Sequence, residues 1–311
     1  MQEGDEDVVC LRAKERSNTE SREARAELRA AHREYMPGGT GYYEAKAHFE
    51  ECVEQQEAGK SEFRNKVYLG DCIDIMSTLP KNCVDMVFCD LPYGTTQNKW
   101  DCPIDFDELW EQYNRVVKPN GAIVLTAQSP FDKKLACSNL KQFRYEWIWE
   151  KNKATGHLNA KKMPMKAHEN ILVFYRKLPT YNPQMTEGHK PMHSVSAKTN
   201  LIEPSEKRNY NHVSQTLGNP GGATTRCPRD VLQFPVVNND SALKFHPTQK
   251  PVELIEYFIK TYSNEGDVIL DNCMGSGSSI IACKNTRRQY IGIEKNEGYF
   301  EKAEKWINSH D

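Results

Sequence analysis

The chain has 311 residues, 38% of them hydrophobic and 27% charged, with a formal net charge of −2. That length can bury a large core, as one big catalytic domain with an inserted region. No apolar stretch approaches the ~20 residues that span a bilayer, and the acidic start lacks a secretory apolar segment, so no membrane span is expected; the ten cysteines, read as reduced thiols, point to the cytoplasm.

Residues 1–65 differ in character from the rest. The stretch 11–36 is dense in Ala, Glu and Arg with few large apolar residues, and a second helical stretch covers 43–57 after Pro37-Gly38-Gly39. Alternating charge of this kind marks solvated helices laced with weak pairs. This helical appendage reports no chemistry; it is either mobile or an accessory for dimerisation or DNA clamping.

The run Val84-Asp85-Met86-Val87-Phe88-Cys89 has the β-branched and aromatic content of a buried strand. Asp90-Leu91-Pro92-Tyr93 follows at its end, with Gly94 after it. Asp90 therefore falls at the carboxyl edge of a parallel sheet, where open α/β folds place their ligands. The chemistry suggested is amine methylation. An aromatic amine is a poor nucleophile because its lone pair is delocalised; a carboxylate and a backbone carbonyl accepting its two hydrogens draw that pair out of conjugation. Tyr93 offers a face for stacking on a base and for attracting a sulfonium. A strand followed by an Asp helix cap and a Pro at the first helical position is the competing structural reading. The loop Thr95-Thr96-Gln97-Asn98-Lys99-Trp100 is placed to close over the base.

Charge is unevenly spread. Residues 151–250 hold 15 Lys+Arg against 6 Asp+Glu, while the rest of the chain holds 26 against 37. This basic stretch is rich in Asn, His and Pro and has little periodicity, as functional irregular segments do. Lys151, Lys153, Lys161, Lys162 and Lys166 are candidate phosphate contacts. Arg208, Asn209, Asn211, Gln215, Arg226 and Arg229 have the paired donors or acceptors that read base edges. A solvated basic loop is the alternative. Within the stretch, residues 168–175 read as a strand returning to the sheet, and His168 and Glu169 lack a third ligand for a metal.

His246-Pro247-Thr248-Gln249-Lys250-Pro251 supplies a hydroxyl and a cation suited to a carboxylate. The helix that follows puts Leu254, Ile255 and Phe258 on one face. A further strand, 267–271, leads into Asn272-Cys273-Met274-Gly275-Ser276-Gly277-Ser278-Ser279 and then a helical pattern. Gly275 and Gly277 permit close backbone approach to a ligand at a helix N-terminus. The next strand, 290–294, ends in Glu294, an acid about 20 residues past a glycine loop, the usual partner of ribose hydroxyls. The ten cysteines include no Cys-x-x-Cys pair, and several sit inside apolar strands, so no metal site and no disulfide framework are expected.

Taken together, these motifs resemble the amino-directed DNA methyltransferases that use S-adenosylmethionine, in the permuted beta group where the catalytic motif precedes the cofactor loop. The resemblance covers roughly residues 66–308. It implies an α/β, Rossmann-like, mostly parallel twisted sheet with helices on both faces and an inserted target-recognition region. The parts would be a catalytic half at 66–177, the recognition insert at 178–243 and a cofactor-binding half at 244–311. It implies Asp90, Pro92 and Tyr93 as catalytic residues. Cofactor contacts are implied for Asp71 and Cys72, for Asp90, Leu91 and Pro92, and for His246, Thr248 and Lys250. They are implied also for Asp271, Cys273, Gly275, Ser276, Gly277, Ser278 and Glu294. Thr248 and Lys250 would hold the methionine carboxylate, Asp71 the adenine, and Glu294 the ribose.

Leu91 stands where a second proline is commoner, and Cys273 where an aromatic is usual. Asp at position 90 favours adenine N6 over cytosine N4, since Ser is frequent in cytosine enzymes. The implied reaction is transfer of methyl to adenine N6 in double-stranded DNA after base flipping. Cytosine N4 is the alternative, and a catalytically silent DNA-binding subunit a more distant one. A homodimer and a restriction endonuclease of the same system are compatible partners.

Overall fold

The computed structural model describes residues 62–94, 103–193, 221–237, 246 and 248–310. The two N-terminal helical stretches, the loop 95–100, and Arg208, Asn209, Asn211 and Gln215 lie outside them. Eight strands of the described residues form one sheet: β1 (Lys66–Leu69), β2 (Val84–Asp90), β3 (Val117–Ala127), β4 (Phe143–Thr155), β5 (Lys166–Phe174), β6 (Val231–Phe234), β7 (Val268–Asp271) and β8 (Gln289–Glu294). Their spatial order is β1-β8-β7-β2-β3-β5-β4-β6. Only β5, among these eight, runs against its neighbours, pairing antiparallel with β3 and β4. All other pairings are parallel.

The helices are α1 (Cys72–Thr78), α2 (Phe106–Val116), α3 (Phe131–Ser138), α4 (Val252–Tyr262), α5 (Ser278–Asn285) and α6 (Glu297–Asn308). Strand alternation divides the core between the sheet's two faces. Val87 and Cys89 of β2 point into a cluster with Leu109 and Tyr113 of α2 and Met76 of α1. Met86 and Phe88 point the other way, against Leu254, Ile255 and Phe258 of α4. Covered on both faces, β2 and β7 are apolar runs rather than alternating ones, as buried parallel strands are. Asp105 starts α2 by accepting the amide hydrogens of Asp107 and Glu108.

The 178–243 insert contributes to the sheet: its end supplies β6, which pairs with β4 from Ile148↔Val231 to Lys151↔Phe234. Its start is also tied down: Asn182 donates its amide hydrogen to the Thr261 carbonyl of α4 at 2.7 Å. The cofactor half is likewise completed from outside 244–311, since β8 pairs with β1.

No helix among the described residues is long and apolar enough to cross a membrane.

Candidate active site

The chain leaves β2 for β3 on one side and β7 for β8 on the other. The boundary between β2 and β7 is therefore the point where strand order reverses, and there the carboxyl ends of the strands open into a crevice. Met86 pairs with Ile269 and Val87 with Leu270. That register sets Asp90 and Asp271, 181 positions apart in sequence, on neighbouring strand ends. A cavity of about 970 Å³ occupies the crevice and is lined by Asp90, Pro92 and Tyr93 on one side and Gly275, Ser276 and Glu294 on the other. Such a volume suits a cofactor-sized molecule.

Every oxygen of Asp90 is engaged. Oδ1 accepts from the Tyr93 hydroxyl at 2.8 Å and from the Thr126 hydroxyl, while Oδ2 accepts from the Lys250 ammonium at 2.5 Å. Lys250 lies 3.3 Å from Glu169 Oε2, and Lys151 reaches Glu169 Oε1. Burial alone would lower the Lys250 pKa, but the charges of Asp90 and Glu169 outweigh it and hold the ammonium protonated. Burial would likewise raise Glu169, yet Lys250 and Lys151 hold it below the usual carboxylate range. The Tyr93 ring stacks on Phe131 with centroids 5.0 Å apart, and burial pushes its phenol well up, so it donates and does not ionise.

Across the cavity, Asp271 organises the glycine loop. It accepts from the Cys273 amide at 3.0 Å and the Ser279 hydroxyl at 2.5 Å, and burial pushes its pKa up to about 6. Gly275 and Gly277 both have positive φ, +52° and +79°, which admits the turn into α5. Gly275 donates its amide hydrogen to Glu294 Oε2 at 2.9 Å, and Asn296 donates to Oε1 at 2.7 Å. Burial still raises the Glu294 pKa. Ser276 and Ser278 are buried in the same turn, and Asn272 is fixed by the Tyr113 hydroxyl at 2.6 Å.

His246 roofs the loop. A Cβ at Gly275 would meet its imidazole at 3.4 Å, and its ring lies edge-on to Tyr299 at 4.4 Å. Burial lowers its pKa to about 4, against the opposing charge of Asp90. Thr248 hydrogen-bonds His246 Nδ1 at 3.2 Å. Asp71 caps α1 by accepting from the Ile73 amide, and its other oxygen pairs with Lys295 at 3.0 Å. Burial opposes its ionisation, but Lys295 and the backbone donors outweigh it and lower its pKa.

The structure gathers the expected catalytic and cofactor residues around this cavity, the buried Leu91 among them, except Gly277, which packs against Ile307 and Ala303 of α6 as the N-cap of α5. Three expectations shift. Lys250 is committed to two carboxylates of the protein, so its ammonium faces Asp90 in this state rather than a ligand carboxylate. Lys151, expected at a DNA phosphate, has a side chain 6% exposed and bound to Glu169, because β4 and β5 set Trp149 opposite Glu169 and bring the two side chains together. Arg226 spends its guanidinium on the carbonyls of Lys190, Ala223 and Thr225, stapling the start of the insert to its end.

By contrast Lys153, Lys161, Lys162 and Lys166 lie on the exposed hairpin between β4 and β5, and Arg229 is exposed before β6. Lys166 reaches back to Gln128 at 2.9 Å. Arg208 is outside the described residues. Sequence reasoning missed Glu169, Thr126 and Phe131 as parts of the site. A charged residue opening an apolar strand was the one available signal for Glu169; Thr126 and Phe131 gave none.

The DNA methylase family model for N6/N4 methyltransferases matches residues 84–305. The Type II methyltransferase M.HpaI of Haemophilus parainfluenzae is 28% identical over 258 residues, covering 78% of this chain and 74% of its own length. DNA adenine methyltransferase YhdJ of Escherichia coli is 28% identical over 249 residues, covering 74% and 78%. In fold, the chain is similar to M1.HpyAVI in its SAM complex, with a TM-score of 0.52 at 24% identity over 78% of this chain and 98% of that one. It is similar also to the cytosine-N4-specific PvuII DNA methyltransferase, with a TM-score of 0.55 at 14% identity over 79% and 91%. With the family model spanning more than two thirds of its length, the chain belongs to the N6/N4 DNA methylase family.

Proposed function

We propose that this protein transfers a methyl group from S-adenosylmethionine to the N6 amine of adenine in double-stranded DNA, at a defined sequence. The observation that carries the reading is the shared cavity: a carboxylate, a proline turn and an aromatic ring face a glycine turn and an acid across one crevice. The residues fit the donor. Gly275 holds a positive φ of +52° that disfavours any larger side chain, Glu294 and Asp71 supply acceptors for hydroxyl and amine groups, and the turn opens at the N-terminus of α5. When bound, S-adenosylmethionine supplies a methyl group on a positively charged sulfur.

The protein's part is orientation and exclusion of water. Asp90 and the Pro92 carbonyl accept the two amine hydrogens, which turns the nitrogen lone pair toward the glycine loop. With the donor held at the glycine loop, the nitrogen would take the methyl group as the carbon–sulfur bond opens, and Asp90 would pass the proton shed by nitrogen to water. Because the amine is paired inside a duplex, the base is extruded first, at a cost of a few kcal/mol. The exposed lysines of the β4–β5 hairpin rise directly from the cavity rim and supply phosphate contacts.

Adenine is preferred to cytosine because position 90 is an Asp, and the name of YhdJ, an adenine methyltransferase, agrees. Methylation-sensitive long-read sequencing of DNA from cells expressing the protein tests the reading. N6-methyladenine in one sequence context is expected. N4-methylcytosine would replace adenine by cytosine as the target, and unmodified DNA together with no heat on mixing with S-adenosylmethionine would establish a silent DNA-binding subunit.

A further inference from the structure

A chain of alternating charge leads away from the catalytic carboxylate: Asp90, Lys250, Glu169, Lys151. The side chains of Lys250, Glu169 and Lys151 are only 7%, 10% and 6% exposed. Four elements contribute to it, namely the end of β2, the loop before α4, β5 and β4. Burying so much charge is a weak way to gain stability, since apolar side chains of similar volume would serve as well. Its arrangement therefore calls for a functional explanation.

Two features of the chain supply one. The Lys250 ammonium sits on Asp90 Oδ2 at 2.5 Å, on the carboxylate that an incoming amine must use. Neutralised at that oxygen, Asp90 is a poorer acceptor than a free carboxylate. On the far side of the same ammonium, Glu169 Oε2 is buried and lies 3.3 Å away, an ion-pair contact without the alignment of a full hydrogen bond. Buried acceptors are almost always satisfied, so one left with only a loose ion pair beside an ammonium marks a place where that ammonium can form a full hydrogen bond. Lys151 fixes the other oxygen, Oε1, and is itself held 5.0 Å above the Trp149 ring. Glu169 is thus a preset receiver, anchored on one oxygen and loosely paired on the other.

We propose that Glu169 is a positioning residue for methyl transfer, serving as the second seat for Lys250, whose ammonium swings from Asp90 Oδ2 to Glu169 Oε2 when the target amine arrives. This role rests on the reading of Asp90 as the amine acceptor. The exchange breaks one hydrogen bond, Lys250 to Asp90, and makes two, Lys250 to Glu169 and amine to Asp90. No proton changes owner and the net charge of the cluster is constant. The ammonium stays between the two carboxylates throughout while the Asp90 oxygen is released.

The test is single-turnover transfer of tritiated methyl from saturating S-adenosylmethionine to unmethylated duplex DNA carrying the sequenced target site. Glu169→Gln keeps the shape and the acceptor for Lys151 but removes the charge that draws Lys250. Transfer is expected to slow by roughly 10- to 100-fold, the scale of one charge-assisted hydrogen bond. The Kd for S-adenosylmethionine by calorimetry stays within about twofold.

Lys250→Met also slows transfer, and adding Glu169→Gln to it changes nothing further, because Glu169 acts through Lys250. Glu169→Asp, which keeps the charge on a shorter stem, gives an intermediate rate and stands in should the Gln variant fail to fold. Wild-type rates in Glu169→Gln, or losses in the double variant equal to the two single losses multiplied, would overturn the role. Wild-type protein that transfers no methyl would overturn the activity itself, and this role with it.

Discussion

At the carboxyl ends of β2 and β7, side chains are buried or half-buried, and polar groups bond to one another: Asp90 to Tyr93, Thr126 and Lys250, and Asp271 to Ser279 and the Cys273 amide. A few residues beyond the rim of the same cavity, every position from 152 to 168 on the β4–β5 hairpin is exposed, including Leu158 at 87% and four lysines. The first region is determined by the sheet, because two strand ends and their register fix where each group stands. The second is held by its own stem and a three-residue turn at His157–Asn159. The strand-end groups are placed where backbone geometry is rigid, while the exposed lysines stand on an arm projecting from the sheet.

Substitutions in the two regions should therefore fail differently. The largest effect is expected for Asp90→Ala: methyl transfer falls by at least ~10³-fold in single-turnover assays. The affinity for S-adenosylmethionine, measured by calorimetry, stays within a few fold. Equal loss of both would show that the carboxylate holds the pocket together instead of holding the amine.

A smaller effect tests the pocket's electrostatics. The folded pKa of His246, about 4, lies below its unfolded value of ~6.5, so the fold favours the neutral ring. The stability linked to it is complete above pH ~6.5 and is lost as pH falls toward 4, by roughly 3 kcal/mol at most. Asp271 acts in the opposite sense: its pKa is raised to about 6, so its contribution is full below pH ~4 and fades as pH rises through 6. Urea unfolding of wild type and His246→Gln between pH 4 and 7 separates the two. The variant should lack the part of the acid-side loss that belongs to the imidazole, and parallel curves would refute its assignment.

The smallest effect belongs to the hairpin. Replacing Lys161 and Lys162 by Ala should weaken binding to all duplexes alike. The slope of log affinity on log salt should become shallower by about 1.8, at ~0.9 per phosphate contact. Melting temperature should not move, since both side chains are exposed. Loss confined to one DNA sequence would turn these lysines from phosphate contacts into readers of base edges.

How much of this was legible in the sequence follows from the range of the forces involved. The strands at 84–90, 268–271 and 289–294, helix α4 and the glycine turn announce themselves locally, through apolar runs, helical spacing and residues that tolerate positive φ. Asp90, Glu294 and Asp271 were found because each closes such a run. Lys151 was misplaced because net charge over a long stretch says nothing about which lysine turns inward. Its partner Glu169 is 18 residues away and comes alongside through the antiparallel register of β4 and β5. Lys250 faces Asp90 across 160 residues, a contact that no spacing rule contains. β6 was overlooked for a related reason: four residues, two of them exposed, carry too weak a pattern to signal an edge strand.

The reversal of strand order between β2 and β7 has a bearing on how the chain could be rearranged. Because neighbouring strands, and not chain continuity, bring the Asp90 turn beside the glycine turn, either half could come first along a polypeptide without disturbing the crevice. By the same logic a backbone cut between 193 and 221 leaves two fragments that must find each other through the β2–β7, β1–β8 and β4–β6 pairings. Co-expressed, such fragments should reassemble into a working enzyme, with the sheet acting as the adhesive.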